Sequence, residues 1–316
     1  MRRIENPTRP RTIDDLVSGE LIARVTRLDL ASRKIFAGRM KGERRSKKRG
    51  ESVEFADHRP YVTGDDLRHI DWNIYGRLDR LFMKLFLEEE DLSLQIAVDC
   101  SASMDCGSPS KFEFIQKAAA TLAYIGLINM NRVTLTALGQ STDEEGAPVD
   151  NGGIRSNLRN LRGRRRVREM GDWLCRLDPA GGTAFSDAAR RIALTRQGKG
   201  VMVILSDFFF KEGYEQGLRY LLGRGYDLVV IQVLSPQEVE PDLGGDLRLR
   251  DVEDGDAAEV TISGPLLKRY KANLAAYCKQ LHQFCIRREI TFLTVQSDLA
   301  IDALMLDYLR ARGVLR

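Results

Sequence analysis

From residue 92 onward the apolar and polar positions follow two alternating patterns. Short, almost unbroken apolar runs occur at 92–98, Val133–Leu138, Val201–Leu205, Leu228–Val233 and Ile290–Val295. Between them, apolar residues recur every three or four positions in a stretch opening at Ser110, in Arg166–Leu177, from Thr183 to about Arg196, in Leu266–Arg288 and in Leu299–Arg312. An unbroken run buries both faces of a strand, whereas a three-to-four spacing buries one face of a helix. The alternation predicts an α/β fold with a mostly parallel sheet flanked by helices. Ser110 and Glu113 head the first helix in capping-box form. Asp254-Gly255 sits between two alternating runs in Leu247–Ser263, which predicts a hairpin inserted near 245–263.

The first 90 residues read differently. The spacing of Leu16, Leu21, Ile22, Val25, Leu28 and Leu30 predicts one helix from Thr12 to about Phe36, capped by Thr12 or Asp14. Gly38–Gly50 reads as a basic, glycine-punctuated loop, and 52–90 as short extended pieces broken by turns. The expected layout is a helix and extended-segment extension over 1–90, followed by the α/β domain over 91–316. No internal repeat is visible.

Of the 316 residues, 43% are hydrophobic and 30% charged, enough for an ordinary buried core. The net charge of +4 conceals segregation. Arg33–Arg49 holds nine Lys or Arg against Glu43, while Pro236–Val260 holds nine acids against Arg248 and Arg250. Such separation suggests polar partner surfaces rather than a uniformly nucleic-acid-binding chain. Cysteines 100, 106, 175, 278 and 285 are odd in number and lack framework spacing. No apolar run reaches the roughly 18 residues of a membrane span. The expectation is a soluble protein of the reducing cytoplasm.

The run at 92–98 ends in Asp99, Ser101 and Ser103, three oxygen-bearing side chains at alternate positions. Asp207 follows a second strand, and Thr183 lies in the turn Gly181-Gly182-Thr183 before a helix. Ligands of open parallel sheets bind beyond the carboxyl ends of the strands, so these five residues can converge there. Two carboxylates and three hydroxyls are hard oxygen donors suited to Mg²⁺, with Mn²⁺ or Ca²⁺ as alternatives. Neutral hydroxyl donors leave the ion electrophilic, which favours a carboxylate supplied from outside.

Asp99-Cys100-Ser101-Ala102-Ser103, Gly181-Gly182-Thr183 and Asp207 resemble, in order, the three parts of the metal-ion-dependent adhesion site of von Willebrand factor A domains. The resemblance implies a von Willebrand A-like, Rossmann-type fold. It also implies that Ser101, Ser103 and Thr183 ligate directly, and that Asp99 and Asp207 ligate directly or through water. Upstream, Glu54-Phe55, Arg59, Tyr61, Gly64-Asp65-Asp66, Arg68 and Ile70-Asp71-Trp72 are similar to the signature of the domain of unknown function 58 family. That resemblance implies a protein-binding partner of MoxR-type AAA+ ATPases, or of the clients such an ATPase remodels. As residues, the signature reads as a half-buried polar network or as a partner contact.

Other chemistries find less support. A phosphohydrolase of the phosphoaspartate class needs an acid two residues after Asp99, where Ser101 stands. No phosphate-binding Gly-x-x-x-x-Gly-Lys-Ser/Thr loop and no Gly-x-Ser-x-Gly elbow occurs. Arg44, Arg45, Lys47, Lys48 and Arg49 could neutralise phosphates, but without interleaved aromatics they read better as a solvated loop or a docking surface for an acidic partner. Cys278, His282 and Cys285 share a helical face with Leu274, Tyr277 and Leu281 and read as core packing.

Overall fold

Apolar runs this dense pair with one another because only neighbouring strands can satisfy their buried backbone groups. In the computed structural model, which describes residues 9–31, 54–87, 92–142, 148–149, 151–195, 200–253 and 255–316, six strands form the main sheet. They are β1 (Ser93–Asp99), β2 (Arg132–Leu138), β3 (Ile154–Leu161), β4 (Gly200–Ser206), β5 (Asp227–Leu234) and β6 (Thr291–Gln296). Their spatial order is β6-β5-β4-β1-β2-β3, parallel throughout except for the antiparallel edge strand β3. This is the mostly parallel sheet, flanked by helices, that the sequence led us to expect.

Alternate residues of β4 point to opposite faces. Val201, Val203 and Leu205 join a core with the helices Lys111–Ile128 and Val167–Cys175. Met202 and Ile204 join a second core with the helices Phe185–Thr195, Glu215–Gly223 and Gly264–Ile286. The chain leaves β1 for β2 on one side and later returns to place β4 on the other. The crevice at the carboxyl ends of β1 and β4 is therefore a topological switch point.

Two compact units are present, one of Met1–Ala37 with Leu92–Arg316, the other of Gly38–Asp91. The N-terminal segment thus belongs with the sheet rather than with an extension reaching residue 90. Leu16, Val17, Val25, Leu28 and Leu30 are buried in the first core, and Leu30 forms an antiparallel bridge with Leu315. The expected single helix is two, Ile13–Leu16 and Gly19–Val25. Ser18 starts the second by accepting a hydrogen bond from the Leu21 N–H at 3.2 Å, which ends the first. Beyond Thr26 the chain leaves the helix toward its pairing with the C-terminal residues.

Several elements escaped the pattern, among them the helix Trp72–Leu78, one strand of the main sheet and one helix beside it. The edge strand β3 is polar and arginine-bearing, as exposed edges often are. The helix Glu215–Gly223 buries only Gly217, Leu218 and Leu221, too few to stand out. Ser110 occupies the N-cap, but its side chain makes no capping bond, and Glu113 pairs instead with Lys117 at 2.7 Å. The last helix, expected over Leu299–Arg312, is a short turn, Ile301–Ala303, continued as a π-helix over Leu304–Leu309. The inserted hairpin is present as Gly245–Arg250 paired with Ala257–Ile262.

The Gly38–Asp91 unit pairs Glu54–Pro60 with Phe82–Leu87 around the helix Trp72–Leu78. The basic residues Arg44, Arg45, Lys47, Lys48 and Arg49 lie outside the described residues. Among the described residues no helix is long and apolar enough to cross a membrane.

Candidate metal centre

Asp99 is the last residue of β1 and is 1% exposed. Its Oδ1 accepts hydrogen bonds from the Ser101 N–H at 3.0 Å and the Thr183 hydroxyl at 2.9 Å. Its Oδ2 accepts from the Ser206 hydroxyl at 2.6 Å. One buried carboxylate thus orients both the serine loop that follows it and the threonine turn. Backbone bonds join those loops: the Ala102 N–H donates to the Gly181 carbonyl at 2.8 Å, and the Ala180 N–H to the Cys100 carbonyl at 2.9 Å. Gly181 takes a left-handed φ of +65° to make that turn, which explains glycine there. The Ser101 and Ser103 hydroxyl oxygens lie 2.9 Å apart.

Asp207 follows β4 and is also buried. Its Oδ1 accepts from the Phe209 N–H at 3.1 Å, past Phe208, which adopts a left-handed φ of 62°. Its Oδ2 receives the Lys111 ammonium at 2.7 Å. Lys111 has no exposed surface and also reaches Glu238 at 2.6 Å. Burial alone would lower the Lys111 pKa, but the two carboxylates outweigh that and hold it above the usual lysine range. For Asp99, burial and the nearby Asp207 charge push the carboxyl up, against the opposing effect of its three hydrogen bonds.

Asp99, Ser101, Ser103, Thr183 and Asp207 line one cleft of about 360 Å³, together with Gln140, Phe209, Phe210 and Glu253. Glu253 comes from the turn of the inserted hairpin. Burial raises its pKa, and the charges of Asp99, Asp207 and Asp251 add to that rise. The donors fit a hard divalent cation: all are oxygens, and the burial and neighbouring charge that push up the Asp99 carboxyl are what a cation would relieve. Among the described residues no three His, Cys, Asp or Glu side chains group as a metal cluster, so any cation here would rest largely on the hydroxyls.

Lys111, Ser206, Glu238 and Glu253 were not among the residues the sequence singled out. Each depends on a distant segment meeting the ends of β1 and β4. Only Glu253 carried a signal, as an acid beside the turn signature Asp254-Gly255.

The upstream signature residues occupy the other unit, where several cap turns. Arg59 donates to Asp65 at 2.7 Å, Asp65 accepts the Val62 N–H at 2.9 Å, and Gly64 has a φ of +104°. Asp66 caps the turn Leu67–His69 and pairs with Arg68 at 2.7 Å. Asp71 caps the helix Trp72–Leu78, accepting from the Asn73 and Ile74 N–H groups, and bonds His58 at 2.9 Å. The His58 contact, with those N–H groups, holds the Asp71 carboxyl at about 2. Tyr61 is half-buried, its N–H bonded to the Leu81 carbonyl at 2.9 Å. Trp72 is 62% exposed, packed edge-on against Tyr75. The backbone of Glu54 pairs with Leu87; its side chain lies outside what is described.

Of the helical trio, Cys285 is buried and its thiol is pushed up to about 12 by burial. His282 instead stacks on Phe292 at 5.3 Å. None of the five cysteines is in a disulfide.

A family model described as "Protein of unknown function DUF58" matches residues 57–280. The uncharacterized protein Mb1516 of Mycobacterium bovis is 27% identical over 269 residues, covering 83% of this chain and 80% of its own. Among solved structures, the conserved hypothetical protein BatB from Bacteroides thetaiotaomicron aligns with a TM-score of 0.38 at 13% identity, over 65% of this chain and 90% of its own. The open conformation of the pilus adhesin SpaC from Lactobacillus rhamnosus GG aligns with a TM-score of 0.44 at 13% identity, over 72% of this chain and 30% of its own.

Proposed function

The chain belongs to the DUF58 family, and on that premise we propose that it is a non-enzymatic, Mg²⁺-dependent protein-binding module. The observation that supports this reading is the convergence of Asp99, Ser101, Ser103, Thr183 and Asp207 on one cleft at the switch point of the sheet. Ser101, Ser103 and Thr183 would hold the ion through their hydroxyls, with Asp99 orienting them and Asp207 completing the anionic wall. When bound, the ion would supply an electrophilic position for an outside carboxylate. The partner we propose is a MoxR-type AAA+ ATPase, or a client it remodels, presenting an Asp or Glu. The chain would then act as its adaptor in assembling or remodelling protein complexes, in the reducing cytoplasm where free thiols persist.

Affinity capture tests this with wild type in Mg²⁺, wild type in chelator, and Asp99→Ala in Mg²⁺. Ser103→Ala, at a half-buried hydroxyl, serves as the milder variant. A partner retained only by wild type in Mg²⁺ is the expected result. Identical partners in all arms would remove the metal from the reading, and Mg²⁺-dependent turnover of a phosphoester would make the chain an enzyme.

A further inference from the structure

The inserted hairpin brings its own acid to the cleft. Glu253 lies in the turn between Gly245–Arg250 and Ala257–Ile262, and it lines the same cleft as the five oxygen-bearing residues. It shares that cleft with Ser103, whose hydroxyl lies 2.9 Å from that of Ser101. Its Oε2 stands 3.4 Å from where a Cβ on Gly182 would sit, so it rests directly over the turn that carries Thr183. A half-buried carboxylate lining one cleft with Asp99 and Asp207 is electrostatically unfavourable, and a cation held on the neighbouring hydroxyls would relieve it.

We propose that Glu253 is the chain's own acid ligand for the cation site, holding the coordination position that a partner's carboxylate must take. This rests on the reading of the cleft as a cation site. The hairpin then competes with the partner, and an incoming Asp or Glu binds by displacing Glu253.

The turn is built to present this side chain and also to yield. The Asp251 N–H donates to the Asp256 carbonyl at 2.7 Å, and the Glu253 N–H to Asp251 Oδ1 at 2.8 Å, which fixes the local shape. Lys211, four residues past Asp207, pairs with Asp251 at 3.0 Å and holds the turn down. That pair is largely exposed, and exposed ion pairs contribute little. The two strands behind the turn are mostly exposed, and a two-stranded hairpin by itself is marginal.

The test uses the full chain with Mn²⁺ as the probe, read by direct titration and by water-proton relaxation, which counts waters on the ion. Acetate stands in for the partner's acid. Glu253→Gln is compared with wild type, with Asp99→Ala, and with Glu259→Gln, which removes an equal charge from the exposed part of the same hairpin. We expect Glu253→Gln to weaken Mn²⁺ binding about tenfold, because affinity follows the number of charged ligands. Its bound Mn²⁺ should carry one more water, and acetate should bind that complex about tenfold more tightly. Glu259→Gln should match wild type. If Mn²⁺ binds in an Asp99-dependent way but Glu253→Gln matches wild type in water count and acetate affinity, the internal-ligand inference falls and the cation site stands. If wild type binds no Mn²⁺, both fall together.

Discussion

Replacing Lys111 by methionine keeps an apolar stem of similar length and removes the ammonium shared by Asp207 and Glu238. Asp207 has a side chain 3% exposed and would be left as a buried anion with the Phe209 N–H bonded to its Oδ1. Glu238 is 19% exposed, and its Oε2 already accepts from the Ser235 N–H at 2.7 Å, so it can turn toward water at lower cost. Breaking a buried ion pair from one side typically costs about 3–5 kcal/mol. We assign most of that loss to Asp207. Urea unfolding in chelator measures it, with Trp72→Phe as background so that Trp173 alone reports on the α/β unit. The double variant Lys111→Met/Asp207→Asn should recover a large part of the loss, because the stranded charge is gone. Saturating Mg²⁺ should also recover part of it in the single variant, by about 2.7 kcal/mol at a hundredfold excess over Kd. A loss below about 1 kcal/mol in chelator would refute the argument, since Lys111 would then not be neutralising a dry carboxylate.

Two further outcomes follow from separate regions. The Asp71 carboxyl is held at about 2, below its ordinary range, so the stability it contributes is present above the ordinary carboxylate pKa and is lost as pH falls from about 4 toward 2. Carboxyl-carbon NMR titration should find this low value, and His58→Ala should move it toward 4; an unchanged value would show that His58 is not its cause. At Gly153, with a φ of +72°, a Cβ would come within 2.2 Å of the Ala184 carbonyl oxygen. Gly153→Ala should therefore cost about 1–3 kcal/mol in urea unfolding and weaken cation binding through the displaced Thr183 turn; wild-type behaviour would show that the 183–184 backbone moves freely.

Much of the molecule was legible from one dimension. Val201–Leu205 is apolar at every position and Leu228–Val233 at every position but Gln232, and such runs are stable only as central strands with both faces covered. Asp99, Ser101 and Ser103 follow directly from where such a strand stops, and Gly181-Gly182 announces a turn that only glycine makes easily. The strand β3 stayed hidden because an edge strand facing water carries no apolar run. The split of the first helix at Ser18 stayed hidden because a cap competes with spacing only once the next segment has somewhere to pack. The sequence by itself thus determined the layered, mostly parallel sheet, five of its six strands, and the oxygen donors at two strand ends. Tertiary structure alone decided that Lys111 neutralises Asp207 across 96 residues of chain, that Ser206 and Thr183 share the carboxylate of Asp99, and that Glu253 reaches the same cleft. Those are contacts between segments remote in sequence, and periodicity reports only which way a residue faces, not which distant residue will face it.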